Sequence, residues 1–243
     1  MLKVFSVKVL RGLALLAGVA GCVSTTASKN VQPIERVEHF GTIHTNGKGM
    51  SEQDFLRVAG RIEIVAESFC HEARTRGNCD FLIVMDDRAH QPSNAYQFLS
   101  ENGRPVLAVT ISLLDEVQND DELAFVIGHE AAHHVAGHLE QQMAMANQGA
   151  MLGSFTATIL GADPEAIETA RDIGAFVGSR QFSKQHELEA DQLGALIALE
   201  AGFDPEIGVA YFTRIPDPGE EFLGSHPSNA DRIETVRSAV YGA

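Results

Sequence analysis

The sequence predicts an α+β chain, a small β-sheet followed by a mainly helical C-terminal half. Three observations carry that expectation. Apolar, β-rich runs cluster between residues 80 and 111, and an Asn102-Gly103 pair between two of them is the strongest short hairpin signal. Every later segment of any length reads with helical period between capping residues. No internal repeat or low-complexity block interrupts the order.

The elements follow in sequence. A helix is predicted over 52–74 after Ser51, then a strand over 80–86 that includes Phe81-Leu82-Ile83-Val84-Met85. A hairpin near 95–111 turns at Glu101-Asn102-Gly103-Arg104. The next helix, predicted over 120–146, starts with acids at the positive end of its dipole, and Asn119 with Glu122 fits a capping box. Asp163-Pro164 caps and starts a helix over about 164–179. Ser183 caps another over roughly 184–201, which Gly202 ends. Asp204-Pro205 starts a further helix, and Ser228 begins the last, about 229–240.

The chemistry sits on two of these helices. His129-Glu130-Ala131-Ala132-His133 is an HExxH pentapeptide in an apolar helical run. Histidines at i and i+4 share a face and can hold one metal ion, and Glu130 can then reach a water at that metal and take its proton. The bland alternative is two partly buried helix histidines with ordinary hydrogen bonds. Downstream, Glu187-Leu188-Glu189-Ala190-Asp191 places Glu187 and Asp191 on one face. Glu187 fits a third ligand, and Asp191 could orient a liganding histidine from behind. Glu189 points elsewhere on its helix and is the less suitable ligand. Read alone, this acidic stretch is equally a solvated helix face; read with HExxH, it completes the three protein ligands of a catalytic zinc site. His134 and His138 lie off the ligand face and read as structural or surface residues.

These residues resemble the HtpX-like and CAAX-prenyl-protease-like zinc metallopeptidases of the gluzincin group. The resemblance covers roughly residues 50–240. It includes Phe81 to Asp87, Ser93-Asn94-Ala95-Tyr96 and Val106 to Thr110, which look like the strands ahead of the zinc helix. It also includes Ser225-His226-Pro227 with Arg232-Ile233, similar to the C-terminal His-Pro segment. The resemblance implies a zincin-like fold, one Zn2+ on His129, His133 and Glu187, and Glu130 as general base. It implies too that His226 lies beside the metal, either donating to the transition-state oxyanion or plugging the open zinc position. Arg232 is a second candidate oxyanion donor and Tyr211 a weaker third. Asn94, Ala95 and Tyr96 are expected on the edge strand along which an extended substrate lies.

One departure matters. HtpX-like members carry transmembrane helices, and no segment of this chain after the leader reads as one. The longest mid-chain apolar stretch, Gly149 to Ala162, falls short of the roughly 20 apolar residues that a span needs. The chain therefore looks similar to the soluble, periplasmic lipoprotein branch of the family.

The N-terminus supports that placement. Lys3, Lys8 and Arg11 precede a short apolar run, and Val19-Ala20-Gly21-Cys22 matches a bacterial lipobox. The expected organisation is a lipoprotein signal peptide (1–21), a lipidated tether (22–50) beginning at Cys22, and a zinc metallopeptidase domain (51–243). Val23 lacks the acidic residue that retains lipoproteins in the inner membrane. The periplasmic face of the outer membrane is thus the expected location, with the inner membrane as the alternative.

The 243 residues carry a formal charge of −15, and losing three basic leader residues takes it to −18. Such a chain is a poor partner for nucleic acid, and the lipid rather than a basic patch would hold it to membrane. Cys70 and Cys79 remain as an even pair, expected as a disulfide worth roughly 2–3 kcal/mol on the chain-entropy model.

The function that follows is a zinc endopeptidase acting on protein or peptide substrates, misfolded or unassembled envelope proteins above all. The alternative is a chaperone or assembly factor, working with the outer-membrane assembly machinery, whose zinc site is latent and plugged by His226.

Overall fold

Helix α1 (Glu52–Ala73) begins where Ser51 Oγ accepts the Asp54 N–H at 3.1 Å, and it buries Phe55, Val58, Ile62, Ala66 and Cys70 along one face. That spacing is the helical stripe expected of a segment laid on a core. The computed structural model describes residues 49–73, 77–180, 183–217 and 227–242. The expected leader, Cys22, nearly all of the tether and His226 lie outside them. Of the expected tether, Gly49 and Met50 are described: Met50 is buried in the core and donates its N–H to Leu114 O at 2.8 Å. Folded structure therefore already includes residue 50.

The sheet has three strands, β1 (Leu82–Asp86), β2 (Ala95–Leu99) and β3 (Pro105–Thr110), in the order β1-β3-β2. All six residues of β3 are buried, as suits a central strand whose first five residues, Pro105 to Val109, are apolar. It pairs parallel with β1 (Leu82 beside Val106) and antiparallel with β2 (Ala95 beside Val109). The β2–β3 hairpin closes through Ser100 and Arg104, and β2 forms one edge of the sheet. A disulfide joins Cys70, near the end of α1, to Cys79 just before β1, with Cα atoms 5.6 Å apart.

Two short steps lead from the sheet to the centre of the molecule. Thr110 caps α2 (Ile111–Glu116), and Asn119 Oδ1 caps α3 (Asp120–Val135) by accepting the Glu122 N–H at 2.9 Å. The Glu122 carboxylate does not close the reciprocal half of the box. It accepts from Gln118 N at 2.8 Å and holds Arg214 through two bonds of 2.7 and 2.6 Å. Helix α3 is buried nearly all round, with Leu123, Phe125, Ile127, Ala131 and Ala132 inaccessible, because α1, the sheet and later helices surround it.

One expectation fails here. The helix read as continuous over 120–146 is two helices. Gly137, at φ 71° and ψ 30°, takes the left-handed conformation that glycine adopts without steric cost, and α4 (His138–Ile159) leaves in a new direction. Helix α4 packs along α5 (Pro164–Arg180) as a hairpin that stands away from the core. Only His138 and Gly178 of its two helices are buried, while Met151, Leu152, Phe155, Leu160 and Phe176 are mostly exposed. Among the described residues no helix is long and apolar enough to cross a membrane. The chain then returns through α6 (Ser183–Glu200), α7 (Pro205–Val209), a 3-10 turn (Ala210–Thr213) and α8 (Asn229–Tyr241).

Candidate metal centre

Two helices make the site, and a glycine contact brings them together. Where α3 crosses α6, a Cβ on Gly194 would lie 2.7 Å from His129 N, and one on Gly128 would lie 2.8 Å from Gly194 O. Any larger residue would hold the backbones apart. At this crossing His129 and His133 project from α3 toward Glu187 of α6.

Ligand-type atoms of three residues converge there. His129 Nε2 and His133 Nε2 are 3.1 Å apart, and the Glu187 carboxylate faces both, its Oε2 3.5 Å from the first and its Oε1 3.4 Å from the second. A tetrahedral ion bonded at about 2.0–2.1 Å spaces its ligands by about 3.3–3.4 Å. The two ring nitrogens and the two carboxylate oxygens are thus separated by distances close to those of ligands around one ion, and one ligand atom from each residue lies within 4.8 Å of the others. Two imidazoles and one carboxylate, with one position left over, also match the donor set of a catalytic zinc site. Glu130 follows His129 on the same helix, half-buried and outside the ligand trio.

Behind these three residues lies a buried ion pair. Asp191, inaccessible to solvent and one helical turn beyond Glu187, accepts from His129 Nδ1 at 2.9 Å. Arg232 of α8 grips the same carboxylate through Nε and Nη2, both at 2.7 Å, and stacks over Phe212 with its guanidinium carbon 3.8 Å from the ring centre. Burial opposes ionisation of Asp191, but the Arg232 charge and the two hydrogen-bonding partners outweigh it and hold its carboxyl below the usual range. The two ring environments diverge. Burial disfavours the charged form of His129 as well, yet the bonds to Asp191 and Glu187 prevail and raise its pKa. For His133 burial prevails over the attraction of Glu187 and lowers it.

The other sequence candidates are distributed as follows. Arg232 stands at the site, 3.9 Å from Glu187, with its fork turned to Asp191. The Tyr211 hydroxyl donates to Glu116 at 3.1 Å, at the end of α2. Asn94 is hydrogen-bonded to Thr110 through its N–H and its carbonyl, immediately before β2. Ala95 and Tyr96 lie on that edge strand, against which α3 packs. The Tyr96 hydroxyl donates to Asp86 at 2.8 Å; burial first, then that bond, push its pKa up to about 12. His134 reaches away from the site to Asn78 O at 2.8 Å and meets Phe81 edge-on.

His138, read from the sequence as a structural or surface residue, is structural and not at the surface. It is buried 2.9 Å from His133 Nδ1, with Glu189 and His186 around it. The available signal was Gly137, which reads as a helix stop.

The model of Peptidase family M48 matches residues 56–240. The chain is 28% identical over 172 residues to the beta-barrel assembly-enhancing protease of Escherichia coli, covering 65% of this chain and 34% of that protein. It is 32% identical over 146 residues to the putative beta-barrel assembly-enhancing protease of Vibrio cholerae, covering 54% and 30%. It is 29% identical over 137 residues to the mitochondrial metalloendopeptidase OMA1 of Arabidopsis thaliana, covering 55% and 27%. The matched region thus spans about a third of the length of these relatives.

Proposed function

The chain belongs to peptidase family M48, and we propose that it is a zinc metalloendopeptidase of the bacterial envelope. The observation that carries this is the convergence of His129 Nε2, His133 Nε2 and the Glu187 carboxylate, close enough together to hold one ion. Zinc, when bound, supplies a Lewis acid that polarises a peptide carbonyl and acidifies water. Glu130, on the ligand helix but outside the trio, takes the proton of the attacking water and hands it to the leaving amine. Asp191, through His129 Nδ1, fixes which ring nitrogen faces Glu187 and His133, and Arg232 fixes Asp191. A substrate segment extended along the outer edge of β2 would run beside α3.

The setting we propose is the periplasmic face of the outer membrane, with a lipid on Cys22 as anchor and misfolded or unassembled envelope proteins as substrates. The lipobox-like Val19-Ala20-Gly21-Cys22 supports the anchor, and a disulfide between Cys70 and Cys79 fits an oxidising compartment. Relatives named for enhancing β-barrel assembly support an envelope substrate.

The deciding experiment is Glu130→Gln. This variant should bind one zinc and melt like the wild type, yet fail to cleave an unfolded protein substrate. Wild-type turnover in that variant would sink the mechanism.

A further inference from the structure

We propose that His138 is a positioning residue that fixes the ring of His133, and that Glu189 in turn fixes His138. The inference rests on the metal reading of His129, His133 and Glu187. Both histidines turn Nε2 toward Glu187, so a metal-bound, neutral His133 carries its proton on Nδ1. That nitrogen lies 2.9 Å from His138 Nδ1. Two ring nitrogens this close require one donor and one acceptor, so His138 Nδ1 accepts and its own proton is on Nε2. His138 Nε2 lies 3.3 Å from Glu189 Oε2, an acceptor. The tautomers therefore run in one consistent direction, from the metal ligand through a second imidazole to a carboxylate. His186 completes the arrangement, stacked on His138 at 4.3 Å with 11° between the rings.

The fold supplies this contact through a break. On a continuous helix a residue five positions beyond His133 would point about 140° away from it. The left-handed turn at Gly137 carries the chain back, so that His138 opens α4 against the ligand face. The two ligand histidines are thus held by different devices. His129 is held by the buried Asp191–Arg232 ion pair, whereas His133 is held through an imidazole whose carboxylate partner is 55% exposed.

The test compares His138→Leu, which leaves the His133 Nδ1–H without an acceptor, with His138→Asn, whose amide oxygen can take the place of Nδ1. Zinc dissociation constants would be measured by competition with a chromophoric chelator, and visible spectra recorded for the cobalt-substituted proteins. The expectation is that His138→Leu weakens zinc binding by roughly 10–100-fold and shifts the cobalt bands, while His138→Asn stays within about threefold of wild type. Wild-type affinity in His138→Leu would overturn the proposal, and so would equal loss in both variants. A wild-type protein that binds no zinc would instead overturn the metal reading on which it rests.

Discussion

Gly128 and Gly194 lie against one another where α3 crosses α6, so closely that a Cβ on Gly194 would sit 2.7 Å from His129 N. Nothing in that contact is a ligand, yet it sets the distance between the histidines of one helix and the carboxylates of the other. The obstructing atoms are backbone, which cannot swing aside as a flexible side chain could.

Gly194→Ala should therefore damage stability and metal binding together. Overpacking of this kind costs about 1–3 kcal/mol, and any outward movement of α6 carries Glu187 and Asp191 away from His129. Denaturant melts and chelator competition would show both losses. Gly60→Ala is the control: a Cβ there meets nothing within 4 Å, so alanine should be neutral or slightly stabilising in helix α1. Intact zinc affinity in Gly194→Ala would show that the helix spacing has slack.

Arg232 tests a different relationship. Its two 2.7 Å bonds to Asp191 make it the counter-charge of a carboxylate with no access to water. Removing one partner of such a pair costs about 3–5 kcal/mol, because the remaining charge stays buried. Arg232→Ala should lower the melting temperature markedly and weaken zinc binding through the misoriented His129. An oxyanion donor would behave otherwise, losing turnover by about 10²–10³-fold with stability and zinc content intact. Thermal melts beside zinc titrations separate the two roles.

The proposed location has its own test in Cys22→Ala. The lipobox-like Val19-Ala20-Gly21-Cys22 makes the lipid the proposed anchor. The variant should pass from the membrane fraction to the soluble periplasmic fraction, and a fatty-acid label should mark only the wild type. Continued sedimentation of Cys22→Ala with membranes would overturn the assignment.

Much of this architecture is legible in the sequence because it depends on local rules. Asp163-Pro164 starts α5 and Ser228 starts α8 as their capping chemistry requires, and Asn102-Gly103 turns the hairpin. The HExxH spacing places both imidazoles on one face, and the 187/191 spacing does the same for the two carboxylates. What escapes is long-range. Gly137 is a single residue whose left-handed φ redirects a helix, and periodicity alone reads straight through it. His138 consequently reads as an off-face residue although it touches His133. Glu122 looks like half of a capping box, but Arg214, 92 residues later, takes its carboxylate. No spacing rule shows that Gly128 will face Gly194.

The last prediction concerns protons. Without metal, His129 is held protonated by Asp191 and Glu187 although burial opposes it, and burial keeps His133 neutral. The folded pKa of His129 is thus raised above the ordinary value of about 6.5, and that of His133 falls below it. A zinc ion needs both rings neutral, so binding must expel the proton of His129. At pH 7.5 two unperturbed histidines would together hold only about 0.2 proton, whereas this pair should release about one. The sign follows: the metal-free protein binds more protons than the metal-bound one, so zinc affinity rises with pH. The slope should be about tenfold per unit from pH 6.5 upward, until His129 titrates in the metal-free state. Calorimetric titrations in buffers of different ionisation enthalpy measure the released proton directly. Asp191→Asn should reduce the release, because it removes a carboxylate that favours the charged ring. A release near zero in the wild type would mean that His129 is already neutral and that its bond to Asp191 orients the ring without charging it.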